Sequence, residues 1–153
     1  LHHEIVTWAG LAVEGLWLYP LILIVRLCIR LLLAALFLLA GNVHLLNPRF
    51  FLPIMPPVIP FPLFCIVASG VCEVLGGLGL LMPQAAVQKL AGWGLVLLLL
   101  AVFPANVYMA TAQVRIHGFP QQAWMGWARL PLQPLLILAV VWVTGIWPRA
   151  ATR

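Results

Sequence analysis

The sequence predicts an all-α integral membrane protein, a four-helix bundle with an additional interfacial helix at its N-terminal end. Three observations predict it. Hydrophobic residues make up 65% of the chain and charged residues 7%, against roughly 25% charged in a soluble domain. Mean hydropathy is +1.13, so the polar side chains a water-facing surface requires are not in supply. Four apolar stretches reach the ~20 residues that cross hydrocarbon as a helix. With three connections and short ends they use up the 153 residues.

Residues 1–20 are apolar but interrupted. His3, Thr7, Gly10 and Glu14 follow helical spacing and make one polar stripe, with Trp8, Leu11, Leu16 and Trp17 elsewhere on the cylinder. That is the pattern of an amphipathic helix lying in the membrane interface, and Pro20 is expected to end it. Residues 21–153 then form the four-helix domain. The first span, 21–41, carries Arg26 and Arg30 one turn apart. The connection 42–60 holds Pro48, Pro53, Pro56, Pro57 and Pro60, which makes it stiff and non-helical. The second span, 61–82, is rich in glycine and has Glu73 near its middle. A turn around Pro83 leads to the third span, 89–109, which contains Pro104. Residues 110–128, with Gly118, Pro120, Trp124 and Trp127, read as a loop or short helix at headgroup depth. The fourth span, 130–147, closes on Trp147 and Arg149 as interface anchors.

The net charge of +5 comes from scattered residues, seven Arg and the single Lys89. Without a basic run or a basic patch interleaved with aromatics, nucleic acid is excluded as a partner class, and anionic lipid headgroups account for the excess. Arg26, Arg30, Lys89, Arg149 and Arg153 fall on the side of the two ends, against Arg49, Arg115 and Arg129 opposite. The positive-inside rule then expects both termini in the cytoplasm, with a bacterial inner membrane as the setting. The first cation is Arg26, so no cleavable signal peptide is expected, and the absent initiator Met points to a processed or truncated start. Cys28, Cys65 and Cys72 lie in apolar segments without metal-ligand spacing and are expected to be buried thiols.

Glu73 is the most informative position. A carboxylate in mid-bilayer costs about 3 kcal/mol or more unless paired or protonated, and such residues face the bundle interior. Ser69, Gly70, Glu73, Gly76 and Gly77 share one helix face, where small residues let a second helix or a flat ligand approach the backbone. Counting depth from the expected span ends places Arg30 level with Glu73, which allows an Arg30–Glu73 ion pair that locks two helices. The other reading makes Glu73 a protonatable group beside a bound redox ligand. At the opposite surface His44, Asn106, Arg129 and Gln133 are expected to converge beneath the two long connections. Pro104 frees the carbonyl of Leu100, which needs another donor inside a membrane. The chain has no Asp and therefore no Ser/His/Asp triad. Neither a metal site nor a nucleotide loop is indicated: His2 and His3 lack a spaced third ligand, and Gly76, Gly77 and Gly79 lie inside a span.

These segments resemble the DoxX-like family of small four-helix integral membrane proteins over residues 33–142. The resemblance is carried by GNVHLLNP from Gly41 to Pro48, IMPPVIPFP from Ile54 to Pro62, SGVCEVLGGLGLL from Ser69 to Leu81, AGWGL from Ala91 to Leu95, VFPANVYMA from Val102 to Ala110, and RLPLQ from Arg129 to Gln133. It implies the four-helix architecture. It also implies a redox setting, since the family is named after the membrane part of a thiosulfate:quinone oxidoreductase. The positions that match are His44, Pro48, Met55, Pro56, Pro57, Glu73, Pro104, Asn106, Arg129 and Gln133, and residues 1–20 extend beyond the pattern.

Two functions are therefore expected to compete. In the first, the chain is a redox-associated, quinone-linked accessory subunit of a membrane complex. Glu73 or His44 exchanges a proton there, Ser69, Gly70, Gly77, Asn106, Arg129 and Gln133 hold a quinone or lipid, and Arg129 polarises a carbonyl oxygen. Any catalysis is then that of a subunit of a quinone-linked oxidoreductase. In the second, it is a non-catalytic structural or assembly subunit that packs against other membrane proteins and lipids. A small-solute transporter fits less well, because four short spans show no inverted repeat.

Overall fold

The structure, a computed structural model, describes residues 2–114 and 123–146, and the side chains of 18–114 and 124–146. Its regular elements are helical: α1 (His2–Leu46), a 3-10 segment (Pro48–Ile54), α2 (Pro62–Leu81), α3 (Ala85–Thr111) and α4 (Ala123–Thr144). Four stretches are long and apolar enough to cross a membrane, Leu18–Leu46, Pro62–Leu81, Ala85–Thr111 and Trp124–Thr144. We describe the chain accordingly as a membrane protein.

The helix boundaries follow from local chemistry. Asn47 leaves the helical region at φ −132°, ψ 56°, as a residue before proline does, and Pro48 opens the 3-10 segment. Phe61 takes a left-handed conformation at φ 52°, which turns the chain into α2 with Pro62 in its first turn. Met82, extended before Pro83, ends α2. Gly145, at φ 64°, closes α4 by donating its N–H to the carbonyl of Val141 at 3.0 Å, the left-handed glycine stop.

Three expectations about the helices need correction. The first is the separate N-terminal helix ending at Pro20: α1 runs through Pro20 without a break, from His2 to Leu46. An internal proline forfeits one backbone bond and costs about 3 kcal/mol. Ending the helix inside an apolar run would leave several backbone groups unpaired, which is worse where no water can reach them. The second is the end of the first span at residue 41, where helix continues to Leu46. The third is the start of the fourth helix at 130, which instead begins at Ala123 and contains Pro131 and Pro134. The interfacial placement of the stripe His3, Thr7, Gly10 and Glu14 falls on side chains outside the described ones, as does most of the segment 110–128.

Each helix packs against the next, α1 on α2, α2 on α3 and α3 on α4, and α4 closes on α1. The core they enclose consists of Leu33, Ala34 and Phe37 from α1, Leu80 from α2, Leu95, Val96 and Leu99 from α3, and Val140 and Val143 from α4. Leucines such as Leu32, Leu75, Leu97 and Leu135 point outward, the arrangement expected where lipid rather than water surrounds the bundle. Cys28 and Cys72 are also exposed and Cys65 is half-buried, so the thiols are not the buried ones expected. Their helix faces look outward, a surface on which lipid tolerates a thiol as well as a core does.

A close helix contact joins α1 and α2. A Cβ placed on Gly41 would lie 2.7 Å from the carbonyl oxygen of Gly70, and one on Gly70 would lie 2.9 Å from the Cβ of His44. Further along, a Cβ on Gly77 would meet Leu38 at 2.9 Å. Small residues thus bring the two backbones together, and they set the register of α2 against the last third of α1.

Candidate functional site

That register brings Glu73 to His44. His44 Nδ1 lies 2.6 Å from Glu73 Oε2, within hydrogen-bond distance. Glu73 is buried at 9% exposure, and the two side chains are 12% and 21% exposed for Glu73 and His44 respectively. Gly70, one turn before Glu73, leaves room for the Cβ of His44, and the chain after α1 folds a lid over the imidazole. Phe51 of the 3-10 segment packs on His44 with ring centroids 4.1 Å apart and tilted by 58°, and Phe50 meets Phe51 edge-on. Ile54 of the same segment packs on Met109 of α3, together with Phe50, Phe51 and Val114. The proline-rich connection is therefore seated against this end of the bundle.

The Arg30–Glu73 pair expected from depth counting does not form. Among the described residues the ion-pair partner of Glu73 is His44. Arg30 precedes His44 by 14 positions in one continuous helix, roughly 21 Å at 1.5 Å per residue. The expected pairing counted depth from a first span starting at residue 21, whereas α1 begins at His2 and Glu73 lies against its last third, beside Gly41 and His44.

The remaining expected site residues form a second cluster between α3 and α4. Asn106 Nδ2 donates to Gln133 Oε1 at 2.8 Å, and Gln133 Nε2 donates to the carbonyl oxygen of Leu99. Gln133 is 4% exposed, so its amide is committed to the kinked stretch of α3 ahead of Pro104. The expected free carbonyl was that of Leu100; Gln133 reaches Leu99, one residue earlier, on the face of α3 turned toward α4. Arg129, half-buried, stands one turn before Gln133 on α4. Among the described residues no hydrogen bond joins this cluster to His44 or Glu73, so the expected convergence of His44 with Asn106, Arg129 and Gln133 resolves into two sites on different helix pairs.

Ser69, Gly70 and Gly77 were expected to line a ligand recess. Ser69 Oγ donates to the carbonyl of Ile66 at 2.8 Å within its own helix, and α1 fills the space beside Gly70 and Gly77. The small-residue face of α2 accordingly receives a helix. What remains open is the outer edge of the His44–Glu73 pair. His44 Nε2 makes no hydrogen bond among the described residues, yet it is not a sealed atom, since the buried side-chain nitrogen without a partner there is Arg30 Nε. An accessible imidazole nitrogen backed by a buried carboxylate can donate to, or accept from, a carbonyl or hydroxyl oxygen arriving from the lipid side.

Sequence reasoning missed two contacts. Phe51 on His44 has no periodic signal, because a chain reversal lies between them. Arg26, whose Nε donates to the carbonyl of Val143 at 3.0 Å, had one: Gly145 marks a helix end, and a cation is favoured beside the carbonyls left free there.

Residues 33–144 match the model of a family described as "Domain of unknown function (DUF8561)". No curated protein and no solved structure matches the chain.

Proposed function

This chain belongs to the DUF8561 family, and we propose that it is a redox-associated accessory subunit of a membrane complex, serving a quinone or similar lipid-soluble carrier. The observation that carries the reading is the 2.6 Å contact between His44 Nδ1 and Glu73 Oε2, a titratable pair shared by two membrane helices. Intramembrane acids mark proton paths or ligand sites more often than they serve packing alone. The DoxX-like pattern over residues 33–142 supports the redox setting.

A quinone would supply the two-electron chemistry, with electrons from a partner subunit. His44 would bind its oxygen through Nε2, and Glu73 would hold the compensating proton or charge at Nδ1. Phe51, packed on His44 and backed by Phe50, would keep water from that face. The apolar side chains of Leu18, Leu21, Ile22 and Ile24, all exposed, support a partner subunit beside that stretch of α1, for which the N-terminal segment 1–20 would serve as the docking element. Arg26, Arg30 and Lys89 gather at one end of the bundle. That supports cytoplasmic termini and a bacterial inner membrane under the positive-inside rule.

The test is quinone binding by the full chain in nanodiscs. Wild type should bind a short-tailed benzoquinone, and Glu73→Gln and His44→Phe should weaken it about tenfold, or ~1.4 kcal/mol. Unchanged affinity in both variants removes the reading. One observation favours the alternative of a non-catalytic assembly subunit: α1 occupies the glycine face of α2, as it would if Glu73 and His44 served to lock the helices. In that case both substitutions lower bundle stability and quinone binding is absent from the wild type.

A further inference from the structure

At the end of the bundle away from His44, a cleft of about 830 Å³ opens between α1, the start of α3 and the end of α4. Arg26, Arg30 and Lys89 line it, and among the described residues no carboxylate does. The chain holds three acidic residues, Glu4, Glu14 and Glu73. Glu73 is engaged with His44; Glu14 precedes Arg26 by 12 positions of α1, roughly 18 Å at 1.5 Å per residue, and Glu4 lies further still. The cleft is therefore a concentration of positive charge without a counter-ion among the described residues.

Its cations are placed rather than scattered. Arg26 is pinned across the helices by the bond from Nε to the carbonyl of Val143, and its Nη2 would lie 2.8 Å from a Cβ on Gly145. Glycine at that position thus makes room for the guanidinium. Arg30, one turn on, has its Nε buried and without a partner among the described residues. A buried donor left unmade is unfavourable, and the side chain that carries it lines the cleft. Lys89 lies in the second turn of α3, whose N-cap residue Gln84 makes no side-chain cap bond, so free N–H groups and the positive end of that helix add to the same field. Leu23, Leu27 and Trp93 form the apolar wall.

We propose that this cleft binds a phosphate group, and that Arg30 and Lys89 are its principal ligands, with Arg26 held beside them by α4. A phosphate diester offers acceptor oxygens for the guanidinium of Arg30 and a negative charge for the three cations. The apolar wall beside them suits the glycerol and first methylenes of an anionic phospholipid, and a basic pocket between membrane helices is the expected form of such a site. The same chemistry could be met by a soluble phosphate compound, and the experiment separates the two. The cleft is independent of the quinone reading, which concerns the other end of the bundle.

The full chain is reconstituted in nanodiscs of phosphatidylcholine with and without phosphatidylglycerol, then released gently, and its retained lipids are read by native mass spectrometry. Wild type should retain phosphatidylglycerol in preference to phosphatidylcholine. Arg30→Gln and Lys89→Gln should each reduce that preference about fivefold, and Arg49→Gln, at the opposite end, should leave it unchanged. Lys89 is exposed, so its substitution tests the site without disturbing the core. Absence of lipid preference together with protection by inorganic phosphate that Lys89→Gln abolishes assigns the site to a soluble phosphate compound. Equal retention of the two lipids with no phosphate effect overturns the proposal, as does a loss in Arg49→Gln equal to that in Lys89→Gln.

Discussion

A methyl group on Gly41 would stand 2.7 Å from the carbonyl oxygen of Gly70, and that close approach sets which residues of α1 and α2 face one another. Replacing Gly41 with Ala pushes the helices apart by several tenths of an ångström and forfeits contacts along the seam, including Gly77 on Leu38. Overpacking of this kind costs about 1–3 kcal/mol. Gly41→Ala should lower the midpoint of SDS-induced unfolding, whereas Gly94→Ala, with no atom within 4 Å of its added Cβ, should not. Equal effects at the two positions would contradict the seam.

Gly70 makes the same argument for the site. Its missing side chain is the space in which the Cβ of His44 sits, so Gly70→Ala should displace the imidazole and lengthen the 2.6 Å contact with Glu73. The expected signature is a nitrogen-15 shift of His44 Nδ1 in a histidine-labelled sample, with retained helicity. An unchanged imidazole resonance would show that His44 does not depend on Gly70 for its place.

Much of the architecture was legible in hydropathy, because each span is bounded by residues with strong local rules. The second span was expected at 61–82 and runs Pro62–Leu81, since prolines mark both of its ends. The errors came from residues with two uses. Pro20 can stop a helix or sit inside one, and in an apolar run the single lost bond is the smaller loss. Gly41 can cap a helix or let a neighbour approach, and it does the second. Taking residue 21 as the start of the first span then moved the expected partner of Glu73 from His44 to Arg30. The residue types at the site were readable, but the pairing was not, because it rests on a register set by close contacts at Gly41, three residues before His44, and at Gly70 and Gly77, three before and four after Glu73. Phe51 over His44 was unreadable for a related reason: a turn of irregular backbone separates them.

Removing one partner of the buried pair should be worse than neutralising both. His44→Ala leaves the Glu73 carboxyl buried without its hydrogen bond, a loss of about 2–3 kcal/mol, while Glu73→Gln keeps a hydrogen-bonding group of the same shape and should cost about 1 kcal/mol. The double variant His44→Ala with Glu73→Leu should recover part of the first loss, because no buried polar group is then left unpaired. Steric-trap or SDS unfolding of wild type, His44→Ala, Glu73→Leu and the double variant measures the coupling, and strict additivity would mean that the 2.6 Å contact contributes nothing to folding.

Gln133 ties α4 to the stretch of α3 ahead of Pro104 through two bonds, one given to the carbonyl of Leu99 and one received from Asn106. Hydrogen bonds between membrane helices are worth about 0.6–2 kcal/mol each, less than their burial suggests, because unfolded helices in lipid also find partners. Gln133→Leu should therefore cost about 1–3 kcal/mol, and Asn106→Ala on that background should add little, since its amide has already lost its acceptor. The Leu99 carbonyl is the sensitive reporter: its infrared amide I band, isolated by carbon-13 labelling, should move to higher frequency in Gln133→Leu as the accepted bond disappears. A stationary band would mean that the Leu99 carbonyl is satisfied without Gln133, and the α3–α4 tie would then rest on apolar packing of Leu99 against Val140 alone.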